Sequence, residues 1–452
     1  MNPEKKHDEH LSEPNPDESL PVDETTSLDE NSMLIHFSGH GIMNDLARDK
    51  IKVEDIASLF SNLGSLYQHI GEYPEALKCN AIFLSACETG LNKDLEADAL
   101  ANLGAIYEST GNYQKAIEYF QRSLSIAREI GDRQAEGNAL GNLGVTYQSL
   151  GHYEQAIEYF QQHLMIAREI GDRHSEGNAL GNLGITYQSL GHYEQAIEYF
   201  QQHLMIAREI GDRRSEGNAL GNLGVTYQSL GHYEQAIEYF QQHLVIAHEI
   251  GDRQAEGSAL GNLGITYQSL GHYEQAITLF EQQLIIAREI GDRQAEGSVL
   301  VNLGNSYQYE SQYSLAESLY LQALDLKGEL FGKIHPEVAQ ALNNLATLYD
   351  SQGRYNEAQN LYLQALELRR QVLGDDHPDV AISLNNLATL YSSQGLYSEA
   401  ETLYLRALEI IRRQLGDDHP GARITLENLE KLYESQRTHR EVARDNNSVG
   451  AD

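Results

Sequence analysis

The tripeptide Asn-Leu-Gly starts at Asn62, Asn102, Asn142, Asn182, Asn222, Asn262 and Asn302, once every 40 residues. Equivalent asparagines follow at Asn344, Asn386 and Asn428, now 42 residues apart. Residues 141–170 and 181–210 differ at one place only, Val145 against Ile185. A length of 452 residues would ordinarily suggest domains of about 150 residues each. Copies this close instead imply one supersecondary unit stacked many times, each covering its apolar faces with its neighbours.

Each unit reads as two helices. In 137–170 the first half carries Leu140, Leu143, Gly144 and Tyr147 at helical spacing, and Gly151 ends that run. The second half carries Ala156, Phe160, Leu164 and Ala167 on one face, with Gln and Glu filling the other. Gly144 and Ala156 are small where a neighbouring helix must come close, and Tyr147 and Phe160 fill the space between. Gly171-Asp172-Arg173 turns the chain into the next unit.

This pattern of Leu, Gly, Tyr, Ala and aromatic residues resembles the tetratricopeptide repeat (TPR). The 40-residue units are similar to the arrays of G-protein-signalling modulators. The 42-residue units, such as 373–410, resemble kinesin light chain. The resemblance implies an all-α fold, a right-handed α-solenoid (superhelix) of stacked antiparallel helix pairs. One departure stands out. Ala323, Ala365 and Ala407 supply a small residue late in the second helix, but the 40-residue units place Ser123, His163, His203, His243 and Gln283 there. That substitution predicts looser or more polar packing.

Along the chain, residues 1–32 hold ten acidic side chains, two lysines and four of the eight prolines, and read as a disordered acidic tail. Residues 33–60 read as an irregular cap. The 40-residue array spans 61–302 and the 42-residue array 303–436, ending in a capping helix wetted by Glu427, Glu430, Lys431 and Glu434. A disordered tail is expected over 437–452.

The formal charge of −35, from 67 acidic against 32 basic residues, excludes non-specific nucleic-acid binding and docking on an anionic membrane. It favours a protein or peptide partner with basic segments. Cys79 and Cys87 are the only cysteines, so no disulfide framework exists and a reducing, cytoplasmic setting is expected. The N-terminal stretch has no apolar core of the signal-peptide kind. Nothing sets an oligomeric state, and no cofactor is implied.

The first helices of a TPR array line its concave surface. In TPR proteins that bind extended peptides, an Asn in this position bonds the ligand's main chain. The resemblance carries that peptide-binding role to Asn102, Asn142, Asn182, Asn222, Asn262, Asn302, Asn344 and Asn386. Asn138, Asn178, Asn218 and Gln148 with its repeats would extend the polar lane. The competing reading has the same asparagines bonding neighbouring helices and setting the stacking angle. The histidines His152, His192, His232 and His272 recur singly and do not converge as zinc ligands must. His335, His377 and His419 each precede a proline and read as turn chemistry. No metal site is expected.

Two strings lie outside this vocabulary: MLIHFSGHGIMND (33–45) and AIFLSACETG (81–90). Together they resemble the CHAT domain, a caspase-like protease fold often fused to TPR arrays. The resemblance would make His40 the general base and Cys87 the nucleophile of a cysteine peptidase regulated by the array. Against activity, the repeat register runs through the second string, so that the 61–100 unit is interrupted by the motif. Only 28 residues separate the tail from the first repeat (33–60), too few for such a sheet. Ile82 and Phe83 make 81–90 read locally as a buried strand, but as a CHAT remnant spliced into the first repeat it is expected to fold as a distorted helix pair behind the irregular cap. The expected outcome is a non-catalytic interaction scaffold carrying a CHAT remnant.

Overall fold

The computed structural model describes residues 53–449 apart from 91 and 418. The expectations for 1–32, for 33–52 and for His40 lie outside the described residues. Among the described residues there are 19 helices and no strand, an all-α solenoid fold.

The chain divides into two compact units, Met1–Ser175 and Glu176–Asp452. Unit 1 holds α1 (Val53–His69), α2 (Tyr73–Gly90), α3 (Lys93–Ser109), α4 (Tyr113–Ile130), α5 (Arg133–Ser149) and α6 (Tyr153–Ile170). The division falls within α7 (Arg173–Ser189). Unit 2 continues with α8 (Tyr193–Ile210), α9 (Arg213–Ser229), α10 (Tyr233–Ile250), α11 (Arg253–Ser269), α12 (Tyr273–Ile290), α13 (Arg293–Tyr309) and α14 (Tyr313–Phe331). It ends with α15 (Pro336–Ser351), α16 (Tyr355–Leu373), α17 (Pro378–Ser393), α18 (Tyr397–Leu415) and α19 (Pro420–Val449).

The turns follow from their residues. Within a unit, Gly231 takes φ 78° and lets the His232 N–H reach back to the Tyr227 carbonyl at 2.9 Å, closing α9 as glycine C-caps do. Between units, Gly211 takes φ 73° and Asp212 accepts from the Ser215 N–H at 3.0 Å, opening α9. In the 42-residue units a histidine does the aspartate's work. Nδ1 of His335, His377 and His419 accepts the N–H two residues on, at 3.2, 3.1 and 3.0 Å.

The core of each pair is a ring set on a glycine. Phe160, Phe200, Phe240 and Phe280 are fully buried, and a Cβ on Gly144, Gly184, Gly224 or Gly264 would come within 2.5 Å of the facing ring. The same helices swap volume at a second level. His163, His203 and His243 are buried over Gly141, Gly181 and Gly221, and the half-buried Gln283 lies over Gly261. Where the second helix carries Ala323 or Ala365, the first carries Val301 or Asn343. Of the looser or more polar packing expected, the structure has the polar alternative, with Ser123, His163, His203 and His243 buried, and a missing side chain on one helix makes room for the large one opposite.

Three segments differ from expectation. Residues 81–90 belong to helix α2 and form no strand; the buried Ala76, Cys79, Asn80, Phe83, Ala86 and Cys87 follow a helical period. Here Asn80 occupies the ring socket against Gly64, and Phe83 supplies the apolar bulk one turn later. Helix α1 begins at Val53, inside the stretch expected to be an irregular cap. The last helix runs to Val449 in place of a tail from 437, because no Gly or Pro interrupts it between Gly421 and Gly450. Its Glu427, Glu430, Lys431 and Glu434 are exposed.

Candidate peptide-binding face

A first helix has little free surface. In α9, residues Glu216, Gly217, Ala219, Leu220, Gly221, Leu223, Gly224 and Thr226 are buried. What stays open is a lane of Arg214, Asn218, Asn222, Val225 and Ser229, stepping by three or four residues along one face. First helices also touch the next first helix, as α9 does α11, and α11 does α13, so their lanes lie side by side.

The ladder asparagines sit half-buried in that lane. Their main-chain carbonyls are used: Thr186, Thr226 and Thr266 each donate Oγ1 to Asn182, Asn222 and Asn262 at 2.7 Å. Their side chains are not. Among the described residues, the amides of Asn102, Asn142, Asn182, Asn222, Asn262 and Asn302 make no hydrogen bond. Neighbouring helices are tied by glutamines, Gln228 Nε2 donating to Thr266 Oγ1 and Gln268 Nε2 to Ser306 Oγ, both at 3.0 Å. In the 40-residue units, then, the packing role offered for Asn is performed by Gln and Thr.

The 42-residue units differ. Asn344 Oδ1 accepts from Gln340 at 3.0 Å, Asn386 Nδ2 donates to Asn343 at 3.2 Å, and Asn428 to Asn385 at 3.3 Å. Gln340 in turn accepts from Arg369 at 2.6 Å, whose buried guanidinium also reaches Ser383 at 2.8 Å. Here Asn386 and Asn428 bond an asparagine of the preceding first helix, and Asn344 bonds a glutamine of its own helix. Sequence reasoning missed this split, although the doubled Asn343-Asn344 and Asn385-Asn386 distinguish these units on the page.

Cys87 lies outside the lane. It is 1% exposed, packed with Phe83 and Ala99. Burial, and then the carboxylates of Glu96, Asp98 and Glu88, push its thiol up to about 11. Such a thiol is protonated at neutral pH and is a poor nucleophile. Its proposed partner His40 is outside the described residues.

The histidines form two kinds of row. His152, His192, His232 and His272 are exposed in turns, each near a Tyr ring, as His192 is to Tyr187 at 6.2 Å. His163, His203 and His243 are buried, and burial lowers their pKa values. Among the described residues no three His, Cys, Asp or Glu converge as metal ligands do.

Stacked helix pairs with a repeated polar lane on their first helices define an α-solenoid repeat protein. The tetratricopeptide repeat model matches nine overlapping stretches, from 55–129 through 393–445, and the chain belongs to the tetratricopeptide repeat family. No curated protein matches it. Among solved structures it is similar to a signal-transduction ATPase with a tetratricopeptide repeat sensor from Pyrococcus horikoshii. That match has 16% identity and TM-score 0.59, and covers 85% of this chain and 56% of the other. Aspartyl phosphate phosphatase F from Bacillus subtilis matches at 17% identity and TM-score 0.52, over 79% of this chain and 97% of that one. A putative kinesin light chain from Podosopora anserina with nearly identical repeats matches at 22% identity and TM-score 0.38, over 43% and 94%. No helix among the described residues is long and apolar enough to cross a membrane.

Proposed function

We propose that this protein is a non-catalytic scaffold whose first-helix face holds an extended peptide segment of a protein partner. The observation that carries this reading is the row of half-buried Asn amides, one per 40-residue unit, that the protein itself leaves unbonded. An amide offers both a donor and an acceptor, the pair needed to grip a peptide main chain whatever its side chains. A tetratricopeptide repeat array supports a protein-interaction role. The charge of −35 favours a partner with basic segments, by steering it in and repelling acidic competitors. The committed amides of Asn344 and Asn386 make them poor members of the peptide-binding set, leaving Asn102, Asn142, Asn182, Asn222, Asn262 and Asn302. The buried, protonated Cys87 thiol supports the non-catalytic reading over a His40–Cys87 peptidase. Two free, buried cysteines fit a cytoplasmic setting.

A peptide selected from a displayed library on the full chain tests this. Changing Asn142, Asn182, Asn222 and Asn262 together to Ala should weaken that peptide at least tenfold and leave the melting temperature nearly unchanged. Unchanged affinity would refute the role given to the ladder.

A further inference from the structure

One face of helix α1 stands open where every later first helix is closed. Leu59 is 62% and Leu66 58% exposed. The matching positions are Ala99 and Ile106 in α3, Ala139 and Thr146 in α5, and their counterparts in the seven first helices that follow; all are no more than 2% exposed. Leu63, between the two on the same face, is half-buried, whereas Leu103 and Leu143 are buried. Exposed aliphatics such as Met205, Val245 and Ile285 are a different case, because their positions lie open from unit to unit. In the described units the cover comes from the second helix before: Phe83 and Cys87 of α2 form one cluster with Ala99 of α3.

The residue types at the two ends of the array differ. The last helix, α19, turns Glu427, Glu430, Lys431 and Glu434 to solvent, the polar outer face that a terminal helix in water needs. Helix α1 does the reverse. It carries Leu59 where the later 40-residue units have Ala or Val, and Leu66 where most have Thr or Ser. A larger apolar group at the open end marks a covered surface.

The chain carries a matching cover immediately upstream. Two residues separate each second helix of a 40-residue unit from the next first helix, as between Ile130 and Arg133. Counted back by one repeat from α2, the place ahead of Val53 falls on residues 33–50. Leu46-Ala47-Arg48-Asp49 stands in step with Ile126-Ala127-Arg128-Glu129 and Ile166-Ala167-Arg168-Glu169, the closing turns of α4 and α6. Ile42, Met43, Leu46 and Ala47 share one side of a helical wheel, with Asn44, Asp45, Arg48 and Asp49 on the other. Earlier turns do not fit, since His40 stands where α4 has the buried ring of Phe120. The same register sets Met43 and Ala47 in the places of Phe83 and Cys87. A smaller pair then meets Leu59 in place of Ala99, the kind of volume exchange that seats His163 over Gly141. A segment joined directly to α1 also acts at high effective concentration, against which a separate partner must compete.

We infer that residues 42–50 close the first end of the array, folding as the last turns of a second helix over Leu59, Leu63 and Leu66. This cap is separate from the first-helix lane and stands whether or not a peptide binds there.

Hydrogen–deuterium exchange of the full chain, read on fragments covering 42–50, tests it. Those amides should exchange roughly tenfold or more slowly than in a free peptide of the same sequence, and equally at low and high protein concentration. Leu59→Ser/Leu66→Ser should abolish that protection, and so should Met43→Ser/Leu46→Ser on the other side of the contact. Neither variant alters a buried residue of α3 or α5, whose unchanged protection would show the array folded. Exchange at the free-peptide rate in the parent chain would overturn the inference, as would protection that survives Leu59→Ser/Leu66→Ser. Protection that grows with protein concentration would also overturn it and assign the face to a second copy of the chain.

Discussion

Replacing Gly184 by Ala and replacing Gly177 by Ala are the same chemical change in the same helix, and they should have opposite effects. A Cβ on Gly184 would lie 2.5 Å from Cε1 and 2.6 Å from Cδ1 of Phe200, a ring that is fully buried. Carbon atoms prefer separations of about 3.5–4.0 Å. The ring would have to retreat by roughly an ångström within a closed shell, at an overpacking cost of about 1–3 kcal/mol. A Cβ on Gly177 would meet Ile206 Cγ2 at 3.4 Å and His203 Cδ2 at 3.5 Å, ordinary contacts. Both changes gain about 0.5–1 kcal/mol because Ala orders in a helix at lower entropic cost than Gly. Gly177→Ala should therefore stabilise by roughly that amount, and Gly184→Ala should destabilise by about 1–2 kcal/mol. Urea unfolding followed by circular dichroism reads both. If Gly184→Ala is as stable as Gly177→Ala, the ring-on-glycine account of helix pairing is wrong.

Alkylation of Cys87, measured in a Cys79→Ser background, should rise with pH without a plateau at neutral pH and be indifferent to His40→Ala; a neutral plateau abolished by that change would revive the peptidase. The buried imidazoles of His163, His203 and His243 have folded pKa values below the unfolded value of about 6.5. The unfolded chain thus binds protons that the folded one resists, against a weak opposing pull from Asp172, Asp212 and Asp252. Stability should hold above pH 6.5 and fall as pH drops below it. A triple His→Gln variant should flatten that slope in melting curves, and an unchanged slope would contradict the assignment. Asn386→Ala should cost about 0.5–1.5 kcal/mol of stability, since it removes the bond to Asn343, and leave peptide affinity unchanged. Asn222→Ala should do the reverse.

The helix pairs were legible because Gly, Ala, Leu and aromatic positions repeat at fixed steps, and stacking copies admits few folds. The His-Pro turns were equally readable, since a side chain before proline is placed to cap the helix that follows. Residues 81–90 misled because Ile82 and Phe83 suggest a strand locally, whereas helix α2 is imposed by the neighbours that Cys87 and Phe83 pack against. The His-for-Ala exchange at His163 could not be judged from the second helix alone. Its partner Gly141 lies 22 positions upstream, and only the folded pair brings the two volumes together. The split of the Asn ladder into free and bonded halves is a matter of hydrogen-bond geometry, which spacing does not specify.

The most direct test of the account is the side-chain amide spectrum of asparagine-labelled protein titrated with a selected peptide. The resonances of Asn182, Asn222, Asn262 and Asn302 should shift on binding, while those of Asn344 and Asn386 stay in place. Shifts confined to the second helices, or equal shifts along the whole ladder, would contradict the claim that the free amides of the 40-residue units hold the partner.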